Sequence, residues 1–307
     1  MTDIESLSPR NEQTVPAAAV LDRLPPERKG VPATADLLEK RMQFAASEPD
    51  GSVALTRTAL GSVPCRIVDG GDHVAVLYLH GGGYRMGSAA AYTSYGSQLA
   101  QAAGAEVVLA DYRLAPEAPF PAALRDALAV YHALRTHRPD RPIVVAGDSA
   151  GGGLAAAVAL AAIRAGITGP DGLALLSPWL DLRCDSTSYA SATDPLFDHH
   201  TALTAREAYL QGHDDADPLV SPLRVPYPEV FPPSLVQVGT AESLLGDSLA
   251  FVDRLATAGV SCQLQTFSGR GHTWPLIEPA HPDSKVAITT LGAFVRQAAD
   301  AARCRAK

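Results

Sequence analysis

Gly147-Asp148-Ser149-Ala150-Gly151 places a serine between two glycines, each two positions away. Before it, Pro142-Ile143-Val144-Val145-Ala146 is apolar and β-branched, the mark of a buried strand. After it, residues 152–164 are rich in Ala and Leu, which favours a helix. A serine there lies on a very tight strand-to-helix turn. The residues two places to either side must be small, or the strand and helix backbones collide. The turn pushes the hydroxyl outward, where a base and a substrate can reach it. A plain glycine-rich helix start would look the same over five residues, so the rest of the chain has to decide.

Strand and helix patterns alternate on both sides of this turn. Residues 53–59 and 63–68 alternate as strands do, and 74–79 is a continuous apolar strand that runs into His80-Gly81-Gly82-Gly83. Helices are expected at 92–103, 121–136 and 152–164, with strands at 106–110, 143–146 and 173–176. The rhythm breaks at 185–226, a stretch rich in Asp, His, Pro and Ser with one short helical piece at 204–209. It resumes with a strand at 235–238, a helix near 244–258, a strand at 260–267 and a last helix from 284 to about 302. Repeated βα units predict an α/β fold, a mostly parallel sheet with helices on both faces. The expected division is an N-terminal cap segment (1–50, with an amphipathic helix at 35–47), a first core part (51–184), a cap insertion (185–226) and a second core part (227–307). A cover over the C-terminal strand ends, where α/β sheets place ligands, would act as a lid.

At 307 residues and 47% apolar content, the chain can build a substantial core. A net charge of −8 argues against nucleic acid and anionic membrane as partners. No apolar run is long enough to span a membrane, and the polar start, 1–11, does not resemble a secretory signal. Four scattered cysteines without a Cys-x-x-Cys pair fit idle thiols in a reducing cytoplasm. No metal or cofactor is expected: His213 with Asp214, Asp215 and Asp217 lacks a spaced ligand set, and the glycine run lacks the Lys-Ser or Lys-Thr of a phosphate loop.

A serine hydroxyl needs a base, and the base needs an orienting acid. Among nine histidines, His272 is the best placed, in a loop after the last strand. The acid should come from the loop after 235–238, where Glu242 and Asp247 both qualify. The order serine, acid, histidine is that of α/β-hydrolases and differs from that of the chymotrypsin-like and subtilisin-like proteases. The glycines at 81–83 leave backbone N–H groups uncovered, and with the N–H of Ala150 they could meet the oxyanion of a tetrahedral intermediate.

His80-Gly81-Gly82-Gly83 together with Gly147-Asp148-Ser149-Ala150-Gly151-Gly152 resembles the bacterial hormone-sensitive-lipase family of esterases. Asp111-Tyr112-Arg113-Leu114-Ala115-Pro116-Glu117 and Ser177-Pro178-Trp179-Leu180-Asp181-Leu182 resemble further motifs of that family, and the likeness runs from about 74 to 275. The resemblance implies an α/β-hydrolase core with a helical cap. It makes Ser149 the nucleophile, His272 the base, and Gly82, Gly83 and Ala150 the oxyanion donors, with Gly81 as a further candidate. Where the family often has Asp-Pro-Leu, this chain has Glu242-Ser243-Leu244, which favours Glu242 as the acid with Asp247 as runner-up. His80 would organise the loop, and Asp111 and Arg113 would pair to brace the sheet edge.

The expected reaction is hydrolysis of short-acyl neutral esters through an acyl-enzyme. A lactone hydrolase or small-molecule deacetylase is a close variant, and a non-catalytic small-molecule binder is the alternative from another class. Tyr84, Asp148, Trp179 and Trp274 are candidate pocket walls. The edge strand 260–267 could carry a homodimer.

Overall fold

The computed structural model describes residues 21–44 and 53–305. The first twenty residues of the expected cap segment, and the end of its helix at 45–47, lie outside the described residues. Within the described residues, helix α1 runs over Ala35–Gln43, capped by the Thr34 hydroxyl, which accepts from the Leu37 N–H. Of its apolar points Leu37 is buried, whereas Leu38 and Met42 face outward.

Eight strands form one sheet in the order β1-β2-β4-β3-β5-β6-β7-β8. They are β1 (Ala54–Leu60), β2 (Val63–Asp69), β3 (Ala75–Leu79), β4 (Glu106–Ala110), β5 (Ile143–Asp148), β6 (Gly172–Leu176), β7 (Ser234–Gly239) and β8 (Cys262–Phe267). β2 pairs antiparallel with β1 and with β4, and the other neighbours are parallel. The central strands are buried on both faces, so their apolar runs are continuous. Successive residues then divide between two cores. Leu77, Leu79, Ile143 and Val145 join one, and Val76, Tyr78, Val144 and Ala146 the other.

Helices α3 (Ala122–His137), α4 (Ser149–Arg164) and α7 (Leu245–Thr257) cover the first face through Leu124, Tyr131, Leu154 and Phe251. Helices α2 (Thr93–Ala103) and α9 (Pro282–Arg305) cover the other through Tyr95, Leu99, Leu291 and Phe294. The stretch 185–226 carries α5 (Ser188–Ser191), α6 (His199–Leu210) and a 3₁₀ turn at Pro222–Arg224. Helix α6 is longer than the sequence pattern suggests, because the Asp198 carboxylate caps it at 2.8 Å from the Thr201 N–H. A last short helix, α8 (Trp274–Ile277), follows the His272 loop.

The chain leaves β3 toward β4 on one side and later returns to place β5 on the other. The strand order therefore reverses between β3 and β5, and the crevice at their C-terminal ends is where such sheets bind ligands. The glycine loop follows β3 there, and Ser149 follows β5.

Arg113 and Asp111 do not pair with each other. Arg113 binds Asp126 and Glu27, each at 2.7 Å, and Asp111 accepts from the Ala89 N–H at 2.6 Å. The carboxylate thus holds the segment after the glycine loop, while the guanidinium ties α3 to the N-terminal stretch.

A Cβ at Gly151 would stand 2.0 Å from the Leu79 carbonyl oxygen and 2.5 Å from that of His80. Both obstacles are backbone, so β3 or α4 would have to move. Gly151→Ala is expected to cost about 2 kcal/mol or more of stability, read as a lowered urea midpoint, and to reduce activity. A variant as stable and active as wild type would contradict this packing.

Candidate active site

Ser149 begins α4 directly after β5, three residues before the helix expected from composition. It has φ +53°, a left-handed conformation costly for a side chain other than glycine. The close approach of Gly147 and Gly151 to each other and to β3 holds this turn in place. Its hydroxyl Oγ lies 2.9 Å from Nε2 of His272.

The other ring nitrogen of His272, Nδ1, lies 2.9 Å from Oε2 of Glu242. Oε1 of Glu242 accepts from the Gly239 N–H at 2.6 Å and from the Ser177 hydroxyl at 2.9 Å. Serine, histidine and glutamate are 3%, 7% and 1% exposed, so the chain of bonds is shielded from water. Burial pushes the Glu242 carboxyl above its ordinary value, and the bonds from His272, Gly239 and Ser177 pull it partly back. A carboxylate so placed fixes which imidazole nitrogen faces Ser149.

Asp247 lies elsewhere. It sits in the first turn of α7, buried rather than solvated, and its Oδ2 accepts from the N–H groups of Leu180 and Asp181, both at 3.0 Å.

Gly82 and Gly83 line the cavity in front of Ser149. Their N–H groups and that of Ala150 find no acceptor among the described residues. The Gly81 N–H is already engaged, donating to Asp148 Oδ1 at 3.0 Å and to the Tyr92 hydroxyl oxygen at 3.1 Å. Asp148 also accepts from the hydroxyls of Tyr78 and Tyr92, at 3.0 and 2.9 Å, so this buried carboxylate clamps the loop. Burial pushes it up to about 6, against the pull of those hydroxyls. His80 stacks on Tyr112 at 4.2 Å and its Nδ1 lies 2.8 Å from the Gly81 carbonyl oxygen. Burial lowers its pKa to about 4, which keeps the ring neutral.

The cavity holds about 410 Å³, within the range of small-molecule sites. Its apolar walls include Met86, Leu196, Phe197, Leu276 and Ile277, and Asp148 lines it as expected. Tyr84, Trp179 and Trp274 do not line it. Tyr84 stacks on Tyr209 at 3.8 Å, Trp179 meets Phe197 edge-on, and Trp274 packs on Phe267. All three are core residues.

The sequence reading missed three contributors. Ser177 bonds Glu242, and its Oγ accepts from the Thr273 N–H at 3.2 Å, joining the acid loop to the histidine loop. Asp194, from the insertion, accepts the backbone N–H of His272. Phe197 stacks on the His272 ring at 5.0 Å. Ser177 stood in a motif already noted, but Asp194 and Phe197 carried no local signal. His213 pairs with Asp217 at 2.7 Å. Among the described residues no group of three or more His, Cys, Asp or Glu could hold a metal, and no helix is long and apolar enough to cross a membrane.

The family described as alpha/beta hydrolase fold matches residues 76–276. The chain belongs to the α/β-hydrolase family. An acetyl-hydrolase of Streptomyces hygroscopicus is 38% identical over 230 residues, 74% of this chain and 77% of the relative. An esterase of Acinetobacter venetianus is 33% identical over 229 residues, 71% of this chain and 73% of its own. A crystal structure of an esterase from the bacterial hormone-sensitive lipase family superposes with a TM-score of 0.82 at 34% identity, covering 96% of this chain and 99% of that one. Within the α/β-hydrolases this protein falls in the hormone-sensitive-lipase family and is a carboxylic ester hydrolase.

Burial pushes Asp247 up to about 7. Its folded value thus lies above its unfolded one, and between about pH 4 and 7 the folded state binds the extra proton. That share of stability is present at the acid end and is lost as pH rises through about 7. Asparagine keeps the neutral form and can offer its one oxygen to both N–H groups. Asp247→Asn should gain on wild type as pH rises, seen as urea midpoints that diverge between about pH 5 and about pH 7.5. Parallel profiles would rule the carboxyl out as the source.

Proposed function

We propose that Ser149 is the nucleophile, His272 the base and Glu242 the orienting acid of a carboxylesterase acting on short-acyl neutral esters through an acyl-enzyme. The observation that carries this reading is the unbroken chain Ser149–His272–Glu242, 2.9 Å at each step, opening on the apolar cavity. His272 Nε2 takes the hydroxyl proton as Oγ attacks the ester carbonyl carbon. The carbonyl oxygen becomes an oxyanion, held by the N–H groups of Gly82, Gly83 and Ala150. Its collapse breaks the bond to the alcohol, which leaves with the proton from His272. Water then repeats the sequence on the acyl-enzyme, giving up its proton to His272 and releasing the acid and Ser149. Glu242 stabilises the imidazolium that forms in each half.

A cavity of about 410 Å³ with Leu276 and Ile277 in its wall supports a short acyl chain. So does the name of the Streptomyces relative, an acetyl-hydrolase. A lactone, as an internal ester, fits the same chemistry. The cap in this reading comprises segments 1–50 and 185–226. The lining by Phe44 on one side, and by Leu196, Phe197, Thr201 and Ala205 on the other, supports that division. Four free cysteines, two of them buried, support a reducing cytoplasm as the place of action.

Initial rates on p-nitrophenyl acetate and butyrate test the assignment. Ser149→Ala and His272→Ala should each lower kcat by about a thousandfold or more, and Glu242→Gln by clearly more than Asp247→Asn. Undiminished turnover in Ser149→Ala, or the reverse order of the two acids, would overturn the corresponding role. Failure of wild type to turn over either ester would overturn the short-acyl preference.

The same reading includes a homodimer through β8, which ends the sheet with an unpaired edge. Light scattering at micromolar concentration should give twice the chain mass, and a monomeric mass would count against it.

A further inference from the structure

Arg85 follows the glycine loop by two residues and lines the cavity in front of Ser149. Its Nε is buried and has no hydrogen-bond partner. The neighbouring cations are each matched by an acid: Lys40 by Asp36 at 2.9 Å, and Arg41 by Glu117 at 2.6 Å. Arg41 also donates from Nε to the backbone carbonyl of Arg85 at 2.7 Å, so a second guanidinium stands close by. Among the described residues Arg85 has no ion pair of its own, and Asp36, already paired with Lys40, acts on it only from farther off. Burial and, after it, the Arg41 charge weaken its hold on its proton, and Asp36 offsets part of this. A half-buried cation beside another cation is costly, and an incoming acceptor oxygen would relieve that cost.

Arg85 also marks where the cavity changes character. Together with Thr201 it forms a wall shared with a second cavity of about 350 Å³, which is bordered by Thr34, Asp36, Lys40, His200 and Thr204. These residues, from α1 with its cap and from α6, are polar, and Leu37, Pro116 and Ala208 complete the lining with apolar surface. The remainder of the first cavity's cover is apolar, with Leu196, Phe197, Leu276 and Ile277. An ester has two halves, and this enclosure offers two environments. The apolar one suits a short acyl chain, and the Arg85–Thr201 corner suits something that accepts hydrogen bonds.

We propose that Arg85 binds an acceptor oxygen on the alcohol half of the substrate, so that the enzyme selects short-acyl esters of oxygen-bearing alcohols over esters of alkyl alcohols. The acceptor is a hydroxyl of a polyol or the carboxylate of a hydroxy acid. Arg85 is then a specificity-determining residue, and this role rests on the esterase reading of the cavity.

Three acetates with three-carbon primary leaving alcohols separate the cases: propyl acetate, 1-acetylglycerol and 3-acetoxypropanoate. Wild type, Arg85→Met and Arg85→Lys are compared by kcat/KM. Wild type should prefer at least one oxygen-bearing acetate over propyl acetate by about tenfold or more. Arg85→Met should collapse that ratio by a similar factor, and Arg85→Lys should keep part of it. A preference confined to 3-acetoxypropanoate supports the proposal with a carboxylate as acceptor, and one that includes 1-acetylglycerol supports it with a hydroxyl. Propyl acetate hydrolysed as well as the others by wild type, or all three falling by one common factor in Arg85→Met, would overturn it. Wild type inert toward all three and toward p-nitrophenyl acetate would sink the esterase reading and this proposal together, a result distinct from active enzyme without the preference.

Discussion

The contact of backbone with backbone where α4 passes the ends of β3 and β5 governs the whole centre. Gly147 and Gly151 let the two elements touch with no side chain between them, and Ser149 is forced to φ +53° in the gap. Strain of this kind persists only where the surroundings over-determine it. Here Ala150, Leu154 and the alanines of α4 are locked into the core on one side, and β5 lies between β3 and β6 on the other. Tyr84, Ser177 and Thr273 also have positive φ, and each stands in a loop that borders the site. The sheet acts as the rigid body, and these kinked residues are the points at which it releases functional groups.

The polar groups near the serine are arranged in two layers. Glu242 orients His272 and is itself held by Ser177 and Gly239. Asp148, next to the serine in the chain, turns away from it and spends its oxygens on Gly81 and two tyrosines. The two carboxylates thus have separate tasks, one toward His272 and one toward the glycine loop. Asp148 and Tyr92 thereby engage the Gly81 N–H, while those of Gly82 and Gly83 remain open among the described residues.

Much of this was legible in the sequence because the central strands are buried on both faces. Ala75–Leu79 and Ile143–Asp148 show as apolar runs, and their alternation with helices gives the α/β class. The start of α4 was not legible. Gly151-Gly152-Gly153 has poor helix propensity, yet a Cβ at Gly153 would stand 2.1 Å from the Trp179 carbonyl oxygen. Tertiary approach selected glycine there at the expense of local preference. Aromatic side chains were equally opaque. Tyr84 and Trp179 lie near the site in sequence, but their faces are taken by Tyr209 and Phe197 of the insertion, partners that no local pattern reveals. Asp194 is the same case in polar form, since its bond to the His272 backbone joins segments far apart in the chain.

Phe197 belongs to the insertion, walls the cavity and lies flat against the imidazole of His272. A residue that walls the cavity in front of Ser149 is therefore also part of the medium around the His272 ring. A replacement of Phe197 that widens the cavity also lets water nearer to the His272–Glu242 pair, whose shielding strengthens the charge interaction in it. The room in the cavity and the shielding of the histidine thus depend on one aromatic ring, so enlarging the one loosens the other until another side chain covers the imidazole.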